Sequence, residues 1–192
     1  VKQAIHEGRL WEYVLKKARA HPKLFEMIDV LTENSNYLAV GTPKFKEKAI
    51  FLYEKEDQYR PEIQSYHKTV RKFKSKKKTL IITKESNTKP AYLSHEYSSL
   101  KRKFKDIESI QVCQYSPHMG LIPLEISDIF PAAHHETSRL SFDPKDFPTF
   151  ENTWTKFFQN NQFVEVYFDK TDEFLKYFMK ILPKEIKKKS IV

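Results

Sequence analysis

The feature that most constrains the fold is a short apolar run, Thr79-Leu80-Ile81-Ile82-Thr83, that directly follows a helix-like segment. Its residues are almost all apolar or β-branched, which is typical of a strand buried on both faces of a sheet. The preceding segment opens at Pro61 and carries apolar residues three and four positions apart, which predicts an amphipathic helix. A helix leading into a buried strand implies a crossover connection, so we expect a layered α/β domain with a mainly parallel sheet.

Strand-like and helix-like segments continue to alternate along the chain. The sequence predicts strands over 49–53, 110–115 and 163–168 and, from a weaker run, over 37–40. Helices are predicted near 94–104, around 150–158 and around 174–182. Aromatic residues in the helical patterns are expected in the core: Trp11, Phe157, Phe158 and Phe174.

The first 36 residues predict a helical hairpin that precedes this domain. One helix is expected over 3–19 and a second from Pro22 until the breaking cluster at 34–36. We expect the α/β domain to cover 37–182 and residues 183–192 to form a mobile basic tail after Pro183. The chain starts at Val1, almost directly at a helix, which suggests that it is part of something larger.

Composition narrows the class of protein. With 192 residues, 40% of them hydrophobic, the chain can bury one sizeable core. Its single cysteine, Cys113, excludes an intramolecular disulfide and indicates a reducing compartment. The sequence has no apolar stretch of about 18 residues. We therefore expect no contact with a membrane and a cytoplasmic location.

The charge distribution favours a polyanionic partner. The formal net charge is +9, and basic residues crowd 68–78, 101–105 and 184–189. A solvated lysine surface is the alternative interpretation. The predicted RNA-binding residues are Arg71, Lys72, Lys76, Lys77, Lys101, Arg102 and Lys103.

Two loops are candidates for a ligand crevice. The run 110–115 stops at Ser116-Pro117, passes Gly120 and restarts at Pro123, which predicts a strand, a loop and a helix. If this strand neighbours the strand 79–83, the loops that leave their carboxyl ends share one crevice. Nearby residues that could form a metal or acid–base site are His118, Glu125, His134, His135 and Glu136. We favour surface or hydrogen-bonded histidines and expect no metal.

Several blocks of sequence carry a family resemblance. Residues 5–14 (IHEGRLWEYV) and 18–24 (ARAHPKL) resemble the segment that leaves the catalytic barrel of archaeal tRNA-guanine transglycosylase, the archaeosine-pathway enzyme. Residues 120–125 (GLIPLE) and 129–134 (IFPAAH) resemble the accessory domain that follows, which is shared with archaeosine synthase. The resemblance covers roughly residues 1–182 and implies tRNA as a partner.

The resemblance also bears on catalysis. In archaeosine synthase the first loop carries proline-cysteine, then lysine-proline-tyrosine, serine and histidine. Here Lys89-Pro90 and Ser94 match, but Lys84-Glu85 replace the proline-cysteine pair, Ala91 replaces the tyrosine and Tyr97 the histidine, with His95 nearby. Should the chain be catalytic, the alternative site residues are Lys89, Ser94, His95 and His118.

The transglycosylase zinc site is built mainly from cysteines and cannot be assembled from one cysteine. We therefore expect a non-catalytic tRNA-binding or assembly domain, without a cofactor, beside a transglycosylase barrel in the same or another chain. The alternative is an archaeosine-synthase-type enzyme that modifies a deazaguanine base in tRNA. A purely structural spacer is a third possibility.

Overall fold

The computed structural model describes residues 1–138 and 143–191. Its α-helices are α1 (Lys2–His6), α2 (Leu10–Ala18), α3 (Pro22–Glu33), α4 (Ser35–Leu38), α5 (Pro61–Lys72), α6 (His95–Lys103), α7 (Pro148–Asn160) and α8 (Glu173–Lys180). Its strands are β1 (Ile50–Leu52), β2 (Thr79–Lys84), β3 (Ile110–Ser116), β4 (Gly120–Pro123), β5 (His135–Thr137), β6 (Glu165–Phe168) and β7 (Lys187–Ser190).

The main sheet has the strand order β4-β3-β2-β6-β7. All its neighbours are parallel except β3 and β4, which form an antiparallel hairpin. The small second sheet pairs β1 with β5, also in parallel. The predicted α/β class with a mainly parallel sheet is confirmed.

Strand β2 is buried on both faces, as its composition predicts. Leu80 and Ile82 join the main core, which contains the aromatic side chains of α7 and α8. Ile81 points to the opposite face and packs with Leu100 of α6 and Val112 of β3. The chain passes from β2 to β3 on one side and returns in β6 on the other. The order of the strands therefore reverses at β2, the position at which open α/β sheets form crevices.

The segment after β3 differs from its prediction. Residues 120–123 form β4 instead of the start of a helix, and Ser116 pairs with Gly120 across the hairpin. Gly120 has a φ of 75°, a conformation that glycine adopts without a Cβ clash, so the chain can reverse there. Leu121 and Ile122 are both buried, which favours the strand.

The predicted N-terminal helices are present, but their boundaries differ from those predicted. The helix predicted over 3–19 is two helices, because Gly8 has a φ of 69° and breaks the segment between α1 and α2. The strand predicted over 37–40 is wrong. Those residues form the end of α4 and a 3₁₀ turn, Ala39–Gly41, which pack against α5.

A buried polar network fastens the N-terminal helices to the domain. Trp11 Nε1 donates a hydrogen bond to Asp57 Oδ1 at 3.0 Å. The guanidinium of Arg60 is fully buried and lies 2.9 Å from a carboxylate oxygen of Glu12 and 3.4 Å from one of Glu62. Helix α2 is therefore tied to the segment that opens α5.

The basic tail is part of the sheet. Residues 187–190 form the edge strand β7, in which Lys187 pairs with Glu165 of β6. Lys189 Nζ lies 2.5 Å from Glu165 Oε2, so a cross-strand ion pair accompanies the backbone pairing. The tail that was expected to be mobile thus contains a strand, which ends at Ser190, and Val192 lies outside the described residues.

Candidate nucleic-acid interface and strand-end cleft

The last residue of α5 and the extended segment that leads from it to β2 present a row of lysines. Every second residue is exposed, and we call these four residues the lysine row: Lys72, Lys74, Lys76 and Lys78. From Phe73 onward the chain is extended, and in an extended chain alternate side chains lie on one side roughly 6.6 Å apart, from a rise of about 3.3 Å per residue. Lys78 immediately precedes β2, and its carbonyl oxygen accepts a hydrogen bond from Val164 N at 2.8 Å. The lysine row therefore lies at the amino edge of the sheet.

Helix α7 and the residue after it hold this segment in place. Asn161 is buried; its Oδ1 accepts a hydrogen bond from Ser75 N at 2.5 Å, and its Nδ2 donates one to Phe73 O at 3.1 Å. The ring of Phe73 stacks on Phe157 at a centroid distance of 6.1 Å. The intervening residues thus face inward, which leaves the lysines directed outward.

The predicted RNA-binding residues differ in availability. Arg71 is half-buried and donates to Thr153 Oγ1 at 3.4 Å. Lys77 Nζ contacts Ile110 O at 3.1 Å and Glu125 Oε1 at 3.3 Å, so its charge is partly compensated. Lys72 and Lys76 belong to the lysine row, which also contains Lys74 and Lys78, two residues absent from the predicted set.

The second predicted basic group lies at the end of α6 and is exposed: Lys101, Arg102 and Lys103. The ammonium of Lys101 lies 4.8 Å from the ring centroid of Tyr97, and Arg102 donates to Ser99 Oγ at 3.1 Å. Lys103 donates to the carbonyl oxygen of Ile191. Cations in the last turn also complement the carboxyl end of the helix dipole.

A cleft of about 840 Å³ opens at the opposite, carboxyl edge of the sheet. Its lining comes mainly from the carboxyl ends of β2 and β3, the segments that follow β2, β3 and β6, and β5: residues 84–87, 89, 115–117, 135–138 and 172–174, together with Glu96 and Pro144. Strands β2 and β3 are neighbours, so the two loops predicted to share a crevice do line one cleft.

Three charged side chains form an inner network in this cleft. Glu85 is buried, with Oε1 3.0 Å from Lys89 Nζ and 2.5 Å from His135 Nε2. His135 Nδ1 lies 3.0 Å from Pro131 O, so each ring nitrogen lies beside an oxygen atom. Burial opposes ionisation of Glu85, but the charges and hydrogen bonds of His135 and Lys89 outweigh it and lower its pKa to about 2.

The other alternative catalytic residues serve different roles. His118 is buried beside Phe147, with ring centroids 5.4 Å apart, and its pKa falls to about 4 because of burial and the nearby charge of His135. Ser94 is buried and caps α6 by accepting a hydrogen bond from Tyr97 N. His95 is exposed. Of these residues, Lys89 is a member of the Glu85 network and His118 lies close enough to it to feel the charge of His135, whereas Ser94 caps a helix.

The histidines and carboxylates considered for a metal site separate. Glu125 contacts Lys77 and Gln111, and His134 Nδ1 lies 3.2 Å from Lys46 O. Within residues 1–138 and 143–191, no group of three or more His, Cys, Asp or Glu side chains could hold a metal ion. Cys113 is buried, and burial raises the pKa of its thiol well above the ordinary value.

The two edges of the sheet differ in charge. Carboxylates predominate around the cleft: Glu85, Glu96, Glu136, Asp172 and Glu173, against Lys84, Lys89 and His135. Asp172 caps α8, and Glu173 occupies its first turn, so carboxylates already occupy that helix terminus. The amino edge therefore suits a polyanion, and the cleft does not.

These features define a layered α/β domain with an N-terminal helical hairpin, a basic amino edge and an acidic cleft. The chain is related to a part of archaeal tRNA-guanine(15) transglycosylases. It is 33% identical over 139 residues to the enzyme of Saccharolobus solfataricus, 30% over 165 residues to that of Methanococcus aeolicus and 29% over 140 residues to that of Methanocaldococcus jannaschii. These alignments cover 70%, 86% and 73% of this chain.

The chain spans only 27%, 22% and 20% of the length of these three relatives. This confirms the resemblance predicted from the sequence blocks and is consistent with an accessory region of the enzyme. No family model matches the chain. A crystal structure of a protein of unknown function aligns with 64% of this chain and 42% of its own, with a TM-score of 0.48 and 13% identity. No helix in the described part of the chain is long and apolar enough to cross a membrane.

Proposed function

We propose that this chain is a non-catalytic tRNA-binding domain of an archaeosine-type tRNA modification system and acts beside a transglycosylase catalytic part. The relatives are named tRNA-guanine(15) transglycosylases, and the chain matches about a quarter of their length or less. An accessory contribution to their activity fits this partial coverage.

The main support for tRNA binding is the lysine row. Four exposed lysines, three of them on the segment clamped by Asn161, would form a preorganised binding surface for phosphates. The exposed basic residues at the end of α6 would extend the contact. A clamped segment loses less conformational freedom on binding than a mobile one.

The lysine row is suited to contact the phosphate backbone of RNA and not its bases. Base recognition in single strands depends on exposed aromatic rings, and Phe73, the aromatic residue within this segment, is turned inward onto Phe157. Tyr59, Tyr66 and Tyr92 lie close to basic residues in the sequence and are possible RNA contacts, but Tyr66 is buried and none of the three lies within the lysine row. We therefore expect binding that depends weakly on sequence and strongly on salt.

A matched pair of variants tests this proposal by measurement of the affinity for unmodified tRNA. The first variant converts all four lysines of the row to glutamine. The control removes four exposed lysines elsewhere: Lys16, Lys48, Lys145 and Lys170. Because both variants lose the same net charge, a general electrostatic effect would weaken both equally. We expect at least a tenfold loss for the first variant and less than a threefold loss for the control.

The cleft supports a second candidate, an enzyme of the archaeosine-synthase type. The observation that favours it is the position of Lys89, Glu85 and His135 at the point where the strand order reverses. The Lys89 amine is engaged by Glu85, and the resembled cysteine is absent, so the residues offer no free nucleophile of that kind. Incorporation of lysine into tRNA that carries the deazaguanine base would establish this candidate, and its absence would favour the binding domain.

The structural-spacer alternative makes a separate prediction. If the domain only holds other parts at a distance, reversal of charge at Lys76 and Lys77 would leave tRNA affinity unchanged. The tRNA-binding proposal predicts that Lys76→Glu has the larger effect of the two, since Lys77 is already paired with Glu125.

A further inference from the structure

The N-terminal quarter of the chain leaves an unusual amount of apolar surface uncovered. Of the sixteen large hydrophobic residues that are exposed in the described part of the chain, ten lie in the first 45 residues. The most regular of them lie on α3, where Leu24, Met27 and Val30 are 50%, 56% and 49% exposed. Residues three positions apart are neighbours on a helix surface, so these three side chains form a continuous stripe, here named the α3 stripe.

The stripe is not needed to hold α3 in place. Ile28 is 2% exposed and packs with Trp11, Leu15 and Ala18 of α2. Residues on the other side of the helix could therefore be polar without loss of this small core. An apolar stripe that does not contribute to the core is typical of a surface that binds a partner.

The charges beside the stripe select among the possible partners. Exposed residues of α3 next to the stripe are mainly acidic: Glu26, Asp29 and Glu33, against Lys23. RNA and anionic lipid would be repelled by these carboxylates, although the chain as a whole carries a charge of +9. In a dimer formed across α3, the same carboxylates would face each other. The charge pattern therefore favours a different polypeptide over RNA, a membrane or a second copy.

We infer that the α3 stripe is the docking surface for the remaining part of a transglycosylase. This inference rests on the proposed function. In the relatives, the segment that matches this chain accounts for only 20–27% of the polypeptide, so the other three quarters supply a protein surface that such a domain must meet. The lysine row lies on the last residue of α5 and the segment that leads into β2 and not on α3, so a partner bound to the α3 stripe can leave it free for RNA.

A photo-crosslinking amino acid placed at Met27 of the full chain, in the source cells, tests the inference. Mass spectrometry then identifies the cross-linked polypeptide, and the same group at Glu136, on the cleft, is the control position. We expect a peptide of transglycosylase sequence from position 27 and not from position 136. A cross-link to a second copy of this chain, to an unrelated protein, or to nothing would overturn the inference.

A pair of variants separates failure of this inference from failure of the proposed function. Leu24→Glu with Val30→Glu removes the apolar surface, whereas Lys23→Glu with Glu33→Lys changes exposed polar residues of the same helix. We expect capture of the transglycosylase to fall at least tenfold for the first pair only, with tRNA affinity retained by both. Equal capture of the transglycosylase by both variants would overturn the docking surface and leave the proposed function intact. If instead the wild-type chain does not bind tRNA, the tRNA-binding role fails, and the capture experiment still decides on the docking surface.

Discussion

Oδ1 of Asn161 accepts a hydrogen bond from the backbone amide of Ser75 at 2.5 Å, and this contact joins the end of α7 to the segment that carries the lysine row. Through Nδ2 the same side chain also donates to Phe73 O and to Phe157 O, at 3.1 and 2.7 Å. One buried amide thus connects the main core to the proposed RNA-binding surface.

Replacement of Asn161 by leucine should weaken both stability and RNA binding. The change leaves a buried N–H group and two carbonyl groups without their partner, at a cost of about 1–3 kcal/mol in the free energy of unfolding. Urea denaturation measures this cost, and tRNA affinity should fall by a fewfold because the segment is no longer clamped. Asn152→Leu, at an exposed position of the same helix, is the control. Unchanged tRNA affinity in a destabilised Asn161 variant would show that the clamp does not shape the binding surface.

Gly120→Ala should be destabilising. The residue has a φ of 75°, and an added Cβ would lie 2.8 Å from Nε2 of the buried His67. Backbone strain alone costs about 1–2 kcal/mol for a non-glycine residue in this region, and the contact with His67 adds to it. Thermal unfolding should therefore show a clear fall in Tm. Gly41→Ala is the matched control, because a Cβ there meets no atom within 4 Å; equal effects at both positions would contradict the account of the hairpin.

Arg60→Met should strongly lower the free energy of unfolding, because Arg60 is buried among carboxylates. The change leaves the buried carboxylate of Glu62 with Lys46 as its remaining cation and removes the tie to Glu12. Removal of one partner from a buried ion pair costs about 3–5 kcal/mol in the free energy of unfolding. Arg19→Met, at a half-exposed pair with Glu54, should cost about 0–1 kcal/mol. Chemical denaturation measures both effects. Equal shifts of the denaturation midpoint from the wild-type value in the two variants would contradict a stabilising role for the buried network.

Glu85→Gln should alter the pH dependence of stability. The pKa of Glu85 is about 2 in the folded chain against an ordinary value of 4.5, so its stabilisation is fully present above pH 4.5 and is lost as the pH falls towards 2. The difference corresponds to about 3 kcal/mol at pH 7. The variant should therefore be less stable at pH 7, and the gap should close in acid.

Denaturation midpoints at pH 7, 4.5 and 3 measure this gap. The lowered pKa values of His67 and His118, about 3 and 4, make the chain lose stability as the pH falls below 6.5. The loss from His67 is common to both proteins, whereas removal of the Glu85 charge lowers the pKa of His118 further in the variant. Parallel curves for the wild-type chain and the variant would contradict the ion network around Glu85.

The local periodicity predicted most of the sheet, because β2, β3 and β6 are apolar enough to be buried wherever they lie. Local periodicity gave the wrong structure for two segments whose conformation depends on contacts with distant residues. Residues 120–123 became a strand because Gly120 allows a hairpin, and the lysine-rich end became β7 because Glu165 lies opposite its cations. Neither partner can be read from the local sequence.

For the candidate sites, the sequence predicted their positions but not the side-chain contacts within them. The shared cleft follows from strand order and was expected from the loops after two neighbouring strands. The pairing of Glu85 with His135 joins residues 50 positions apart in sequence and was not predicted. The alternation of lysines from 74 to 78 was visible in the sequence, and a period of two would have indicated an extended segment with one basic side. The Asn161 clamp has no local signal.

The salt dependence of tRNA binding measures directly whether the lysine row contacts RNA phosphates. Each phosphate contact contributes about 0.7–0.9 to the slope of log affinity against log salt concentration, so removal of four contacts should reduce the slope by about 3. The account predicts this reduction for the variant with glutamine at Lys72, Lys74, Lys76 and Lys78, and an unchanged slope for the variant at Lys16, Lys48, Lys145 and Lys170. Equal slopes for the wild-type chain and the lysine-row variant would contradict it.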